Sequence, residues 1–294
     1  MTLDYETLLI AAVFASQIVV LSFYTPMRWQ QYHVDLFKRY PREEYPWLHP
    51  LPREEFDRKF AIFRPMHLII GAAAILTFLG ALSYADSLRG LAGPMAMCLL
   101  VQWMLPLYIA LPLEVRIRQG YSSMPPPSPR SVELRKWRVT DFVSPLWIGL
   151  GIGLQALTLA SAVALYLYRP GTLGIFVNGI GSVGILLAMC HVLFGYGYVI
   201  ATRADPFMSQ ADTFRVRQRN HRGLFVGGAA FGAWGTFTLL HNAGFLQFDV
   251  AYWFVIFSVI SQLYGLALVS SQDRDLNTRD FSVYRAGGSA QAAR

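Results

Sequence analysis

The chain has 294 residues, of which 54% are hydrophobic and only 15% are charged, with a formal net charge of +7 and a mean hydropathy of +0.37. Such a composition supplies too few charged side chains to cover a soluble globule, so it predicts a protein partly covered by lipid. The two cysteines, Cys98 and Cys190, both lie in apolar runs, which argues against a disulfide framework and a CxxC metal site.

Seven apolar runs are long enough to cross a hydrocarbon core of about 30 Å, which takes roughly 20 helical residues at 1.5 Å each. They lie near residues 7–24, 63–85, 91–113, 142–168, 172–200, 223–241 and 251–271. We therefore predict an all-α protein in which residues 1–271 form one membrane domain of seven transmembrane helices and residues 272–294 form a tail. Acidic residues precede the first run, so we expect it to be a retained anchor and not a cleaved signal.

The positive charges fall almost entirely on one side of this pattern. Of the 25 Lys and Arg residues, all except Arg89 and Arg169 lie in the connections and the tail that would share a side. The positive-inside rule then predicts an outside N-terminus and a cytoplasmic C-terminus. It also accounts for the net charge without nucleic acid, and it predicts affinity for anionic lipid at the cytoplasmic face. We expect a multi-pass protein of a bacterial inner (plasma) membrane.

The first cytoplasmic connection carries a helix-start signal. Pro52 is followed by Glu54 and Glu55, and the apolar residues Phe56, Phe60 and Phe63 then recur at helical intervals. This pattern is typical of an amphipathic helix that lies at the inner interface before the second span. A docking surface is the alternative interpretation.

The order of the spans permits an internal repeat. Spans one to three and five to seven have the same layout of a basic inner segment and a short outer turn, with span four as a connector. A parallel three-one-three repeat of this kind is one way in which transporters frame a central site. Coincidence accounts equally well for the similarity.

The span interiors exclude several functions, because no Asp, Glu, Lys or Arg lies in the central part of any span. A retinal Schiff base needs a lysine within a span, whereas Lys38, Lys59 and Lys136 all lie in connections. Carboxylate-driven proton coupling, voltage sensing and intramembrane aspartyl proteolysis lack their charged groups as well. No nucleotide-binding glycine loop, HExxH or GxSxG motif is present.

Neutral polar residues are the remaining candidates for a binding site. One glutamine falls close to the centre of each of spans one, three, four and seven, and these are Gln17, Gln102, Gln155 and Gln262. An amide in hydrocarbon needs a partner, so we expect one layer of glutamines that faces the bundle interior. This layer either joins the helices by hydrogen bonds or lines a cavity for an uncharged molecule. Asn178 and Thr158 would extend such a cavity outward.

Two histidines give a second hypothesis. His67 on span two and His191 on span five are predicted to lie in the cytoplasmic leaflet, where opposed imidazoles could hold a haem iron or another metal ion, with Arg64 near a haem propionate. Ordinary hydrogen-bonded histidines are the simpler interpretation. Packing residues are also evident, since Gly149 with Gly153 and Gly228 with Gly232 form small-xxx-small pairs.

Three functions follow from these patterns. The first is a carrier or binding subunit for a small neutral or lipophilic molecule, with the glutamine layer as its site. The second is a haem or metal redox protein that uses His67 and His191. The third is a structural subunit that packs against a membrane-protein partner or a second copy of the chain, and the sequence leaves open whether the protein is an enzyme.

Overall fold

A computed structural model of the protein describes residues 5–84, 138–168, 210–242 and 250–285 without interruption. Between these ranges it describes residues 94–95, 97–99, 101–103, 112–113, 115–117, 119–121, 123–124, 208 and 244. Every regular element within the described residues is helical, which confirms the predicted all-α class.

Five helices are long and apolar enough to cross a membrane, namely Thr7–Arg39, Arg53–Ser83, Pro145–Ala164, Ala211–His241 and Val255–Thr278. They overlap the first, second, fourth, sixth and seventh predicted spans. The third span, 91–113, is only partly described, and the fifth, 172–200, lies outside the described residues. Seven spans and their orientation therefore stay a prediction.

The first helix is longer than its predicted span. It consists of α1 (Tyr5–Gln17), a π-helical segment π1 (Ile18–Tyr24) and α2 (Thr25–Arg39), which follow one another without a break. At the end of π1 the N–H of Thr25 donates to the carbonyl of Val20, five residues earlier. Pro26 comes next, and a proline clashes with the carbonyl four residues before it, which here belongs to Ser22. The wider π turn relieves this clash and lets the helix continue.

The second helix, α3 (Arg53–Tyr84), runs for 32 residues and contains Pro65 in its interior. Glu54 and Glu55 occupy its first turn, where the positive end of the helix dipole favours them. The helix start predicted after Pro52 is confirmed, and the predicted lead-in helix is continuous with the second span, since its residues are the first turns of α3. Its apolar face is covered by protein: Trp29 and Phe37 of α2 pack against Phe56, Phe60 and Phe63.

The chain divides into two compact units. Unit one contains described residues from Met1–Val132, Ala204–Ser209 and Phe254–Arg294, and unit two contains described residues from Glu133–Arg203 and Gln210–Trp253. The assignment of residues 1–271 to one membrane domain and of residues 272–294 to a tail stays a prediction, as does the three-one-three repeat.

Unit two is built on α4 (Pro145–Tyr168) and α5 (Gln210–Asn242). The helices approach so closely that a Cβ atom placed on Gly232 would lie 2.6 Å from the backbone carbon of Leu154. Gly151 lies equally close to the backbone of Phe225. A small residue is required at such contacts, because any side chain would separate the two backbones. After α5, Gly244 adopts a positive φ of 78°.

Gly149 and Gly153 do not make the predicted helix contact. A Cβ atom on either of them would meet no atom within 4 Å, so the described part of the chain needs no glycine there. The contact uses Gly151 instead, together with Gly232 and Gly235 on α5. Of the two predicted pairs, Gly228 with Gly232 thus includes a contact residue, Gly232, whereas the spacing on α4 marked the correct helix but the wrong face.

The remaining helix, α6 (Val250–Thr278), packs against the first helix in unit one. A Cβ atom on Gly265 would lie 3.1 Å from both the Cδ2 atom of Leu21 and the Oγ1 atom of Thr25. Further along, Arg28 forms an ion pair with Asp273 at 2.5 Å. The π1 segment thus lies against α6 on one side and, at Gly71, against α3 on another.

An aromatic cap closes the end of unit one at which α2 ends and α3 begins. We define it as the connection of residues 40–52 together with Tyr121, Met124 and the residues that follow α6. Leu48, Phe281 and Tyr284 form its buried centre. The His49 ring stacks on Phe37 at 4.5 Å between centroids, and its Nε2 atom lies 2.6 Å from the carbonyl oxygen of Tyr40.

Candidate functional site

Three of the four predicted glutamines lie together in unit one. Gln17, the last residue of α1, is completely buried, and Gln102 and Gln262 are also buried. The Nε2 atom of Gln17 donates to the Oε1 atom of Gln102 at 2.8 Å. The Nε2 atom of Gln262 lies 3.2 Å from the hydroxyl of Ser258. The position of Gln17 just before π1 places its amide among three helical segments.

Two serines complete this group, which we call the amide network. The hydroxyl of Ser258 donates to the Oε1 atom of Gln17 at 2.7 Å, and the Nε2 atom of Gln102 donates to the hydroxyl of Ser22 at 2.8 Å. The sequence analysis missed both serines. Ser258 could have been found from its position one helical turn before Gln262, whereas Ser22 is placed by the π turn, which the sequence pattern did not reveal.

The amide of Gln17, at the centre of the amide network, is fully paired. Gln17 donates its second N–H to the carbonyl of Met95 at 3.2 Å, so both of its N–H groups and its oxygen have partners. An amide whose groups are all paired gains little by binding a ligand, because each new hydrogen bond replaces an existing one. The geometry therefore supports a packing role for Gln17, which joins α1 to Gln102 and to Ser258 of α6.

Gln155 lies on α4 in unit two and takes no part in the amide network. Its Nε2 atom is buried and has no hydrogen-bond partner, and its backbone lies against Gly232. Near it, the hydroxyl of Thr158 lies 2.8 Å from the carbonyl of Gly232 and 3.0 Å from the hydroxyl of Thr236. The predicted layer of four glutamines stays a prediction, and Asn178 lies outside the described residues.

His67 is a second buried polar group in unit one, and its environment differs from that of the amide network. The side chain, on α3, is only 5% exposed, and neither Nδ1 nor Nε2 has a hydrogen-bond partner among the described residues. A neutral imidazole has one N–H donor and one acceptor nitrogen. Leaving such a group buried and unpaired costs about 1–3 kcal/mol, so its presence calls for an explanation.

Aromatic rings lie near His67 along the contact between the first helix and α3, and Phe63 contacts the imidazole directly. The Phe63 ring meets the imidazole edge to face at 4.3 Å between centroids, and Trp29 packs on Phe63 at 4.8 Å. One turn beyond His67, a Cβ atom on Gly71 would lie 2.3 Å from the tip of the Phe23 ring, so this ring lies directly on the α3 backbone. We call the group of His67, Phe63, Gly71, Phe23 and Trp29 the histidine seam.

The metal hypothesis stays a prediction. His191 lies outside the described residues, so its distance from His67 is not given by the structure. Within the described ranges, no group of three or more His, Cys, Asp or Glu side chains is placed to hold a metal ion. Cys98 is buried as a free thiol.

Comparison with known proteins gave no match. No protein family, no curated protein and no solved structure is similar to this chain at a significant level. The function therefore has to be inferred from the chain's own residues.

Proposed function

We propose that this protein crosses the bilayer seven times, with its N-terminus outside and its C-terminus in the cytoplasm. Five described helices of sufficient length support a multi-pass membrane protein. The sequence pattern supports the two further spans, and the distribution of Lys and Arg supports the orientation. In this arrangement the aromatic cap faces the cytoplasm, where anionic lipid headgroups are available to the basic connections.

We further propose that the protein is a carrier or binding subunit for a small neutral or lipophilic molecule, and that His67 supplies the polar contact. One observation carries this proposal: His67 is nine-tenths buried, yet both ring nitrogens are unpaired within the part of the chain that the structure describes. A bound molecule that pairs with the imidazole would remove the cost of burying it. The amide network is the weaker candidate site, because its hydrogen bonds are already formed within the bundle.

The experiment is extraction of small molecules from detergent-purified protein, followed by mass spectrometry. A compound should co-purify in roughly equimolar amount with the wild type and be lost from His67→Leu. His221→Leu is the matched control, since the His221 ring stacks on Phe142 and its Nδ1 atom lies 2.7 Å from the carbonyl of Arg217. The same compound in equal amount in wild type and His67→Leu would refute the site.

A redox or metal function uses the same unpaired nitrogens, since an imidazole without hydrogen bonds is free to bind iron. The absorption spectrum and metal content of the purified protein separate this alternative from the first. A Soret band that disappears in His67→Ala would establish it. Colourless, metal-free protein would eliminate it.

A structural subunit is the third candidate, and the closed amide network favours it. Buried amides that bond only to other helices hold the bundle in one arrangement and do not require a ligand. This function predicts a stable partner that co-purifies with the chain in mild detergent. Protein that is monomeric in mild detergent and free of other chains would contradict it.

A further inference from the structure

We propose that the molecule bound at the histidine seam is a flat, uncharged ring compound that carries a carbonyl oxygen, of the kind represented by lipid-soluble quinones. This inference depends on the proposed function, which requires only that some neutral lipophilic molecule binds near His67. It adds the shape of the ligand, its charge and the group that the imidazole recognises.

The proposed shape of the ligand follows from the aromatic side chains of the seam. Phe63 lies on one side of His67 along α3, and the Phe23 ring lies over Gly71 one turn further along the same helix. Trp29 extends the aromatic surface beyond Phe63. Aromatic rings prefer to pack against other rings with an offset or an edge-to-face geometry, so these side chains favour a flat ring over a branched aliphatic chain.

The functional group and the charge of the ligand follow from the imidazole of His67. His67 offers one N–H, and a ligand carbonyl is the simplest group that accepts it. None of the five residues that define the seam is charged at neutral pH, and Arg64, one turn before His67 on α3, is exposed. A buried, unpaired charge costs far more than a buried carbonyl, so the seam favours an uncharged ligand over carboxylates, phosphates and amines.

The route to the seam supports a lipid-soluble ligand. Leu68 and Ile69 follow His67 on α3, and Met27 lies between Phe23 and Trp29 on the first helix. All three side chains are more than half exposed, although each is apolar. In a membrane-spanning helix such side chains face lipid, so a compound dissolved in the bilayer reaches the edge of the seam without crossing water.

The test compares two tritiated probes on protein reconstituted in lipid nanodiscs. One probe is a benzoquinone with a decyl side chain, and the other is decylbenzene, which has a similar tail and ring but no carbonyl. Wild type should bind the quinone at least about tenfold more tightly than decylbenzene, since one buried hydrogen bond corresponds to about that factor.

Variants at position 67 isolate the carbonyl contact. His67→Phe keeps a ring but removes the donor, so it should bind the quinone about tenfold more weakly, with little change for decylbenzene. His67→Gln restores a donor and should recover part of the affinity. His221→Phe in unit two is the control and should bind both probes as the wild type does.

Each outcome has one consequence. If His67→Phe binds the quinone as tightly as wild type, or if wild type does not prefer the quinone, the inference is refuted. Equally tight binding of both probes by the wild type would refute the carbonyl contact, but it would still show that the protein binds a neutral lipophilic molecule. A melting temperature of His67→Phe that is no lower than that of wild type shows that lost binding is not lost folding. If His67→Phe unfolds, the quinone affinity of His67→Gln is compared with that of the wild type. A preference for the quinone over decylbenzene in both proteins supports the carbonyl contact, and its absence in both refutes it.

Discussion

Gln17 and His67 are both polar side chains buried in unit one, but only Gln17 has its hydrogen-bonding groups occupied. Gln17 lies near the centre of the first span and His67 in the first part of the second, so the sequence alone made both of them candidate binding residues. The distinction between them depends on partners far away in the chain, such as Ser258, which lies 241 residues from Gln17. A single sequence does not reveal such pairs, because it shows the polar groups and not their distances.

Replacement of Gln17 by leucine tests the packing role of the amide network. The change removes the hydrogen bonds of Gln17 to the side-chain Oε1 atom of Gln102 and to the hydroxyl of Ser258. We therefore expect the free energy of unfolding to fall by about 2 kcal/mol. Gln31→Leu is the control, because the Gln31 amide is exposed and bonds only to Asp35 among described partners. Unfolding in mixed detergent measures both, and an unchanged stability of Gln17→Leu would show that the network contributes nothing.

His49 makes the aromatic cap sensitive to acid. Burial is the main cause that lowers the pKa of His49, and Arg42 lowers it further, whereas the hydrogen bond to Tyr40 and the charge of Glu43 oppose the shift. The unfolded chain then binds a proton at a higher pH than the closed cap does. The stability of the cap is therefore complete above about pH 6.5 and is lost as the pH falls toward the lowered pKa.

Hydrogen exchange of residues 40–52 between pH 7.5 and pH 5 measures this effect. After correction for the intrinsic pH dependence of exchange, protection should decrease in wild type as the pH falls. His49→Gln keeps a donor for the Tyr40 carbonyl but has no titration in this range, so its protection should stay constant. If the cap loses protection equally in the wild type and in His49→Gln, groups other than His49 cause its sensitivity to acid.

At the scale of elements, the helices themselves were largely predictable and their faces were not. Apolar runs of about 20 residues are a strong signal, so α4 and α6 begin within a few residues of their predicted spans. The first helix and α3 extend beyond their spans, because polar residues continue a helix as readily as apolar ones once packing supports it. The face that α4 presents to α5 depends on the rotation of both helices, which led to the wrong glycine pair.

Alanine substitutions at two glycines test that contact. In Gly232→Ala the new Cβ atom would lie 2.6 Å from the backbone of Leu154, so the helices must separate and we expect a loss of at least about 2 kcal/mol. Gly153→Ala lies on the same helix pair but meets no atom within 4 Å, so it should be neutral or slightly stabilising because alanine favours helix. Similar destabilisation by both variants would contradict the observed packing.

For the whole molecule, the composition and the distribution of charge carry the most information. They predict a membrane protein with a basic cytoplasmic side, and the five described helices agree with the membrane assignment. The arrangement of the helices into two units follows from contacts between distant parts of the chain, and the sequence pattern did not predict it. The depth of the histidine seam in the bilayer then determines whether a ligand reaches it from the lipid.

Labelling of the two chain ends with a membrane-impermeant maleimide tests the proposed topology most directly. Single cysteines are introduced by Thr2→Cys or Ser289→Cys after Cys98 and Cys190 have been replaced by alanine. We expect position 2 to react in intact cells and position 289 to react only after the membrane is permeabilised. Reaction of both positions from the same side would mean an even number of crossings and would contradict the seven-span, outside-to-inside arrangement.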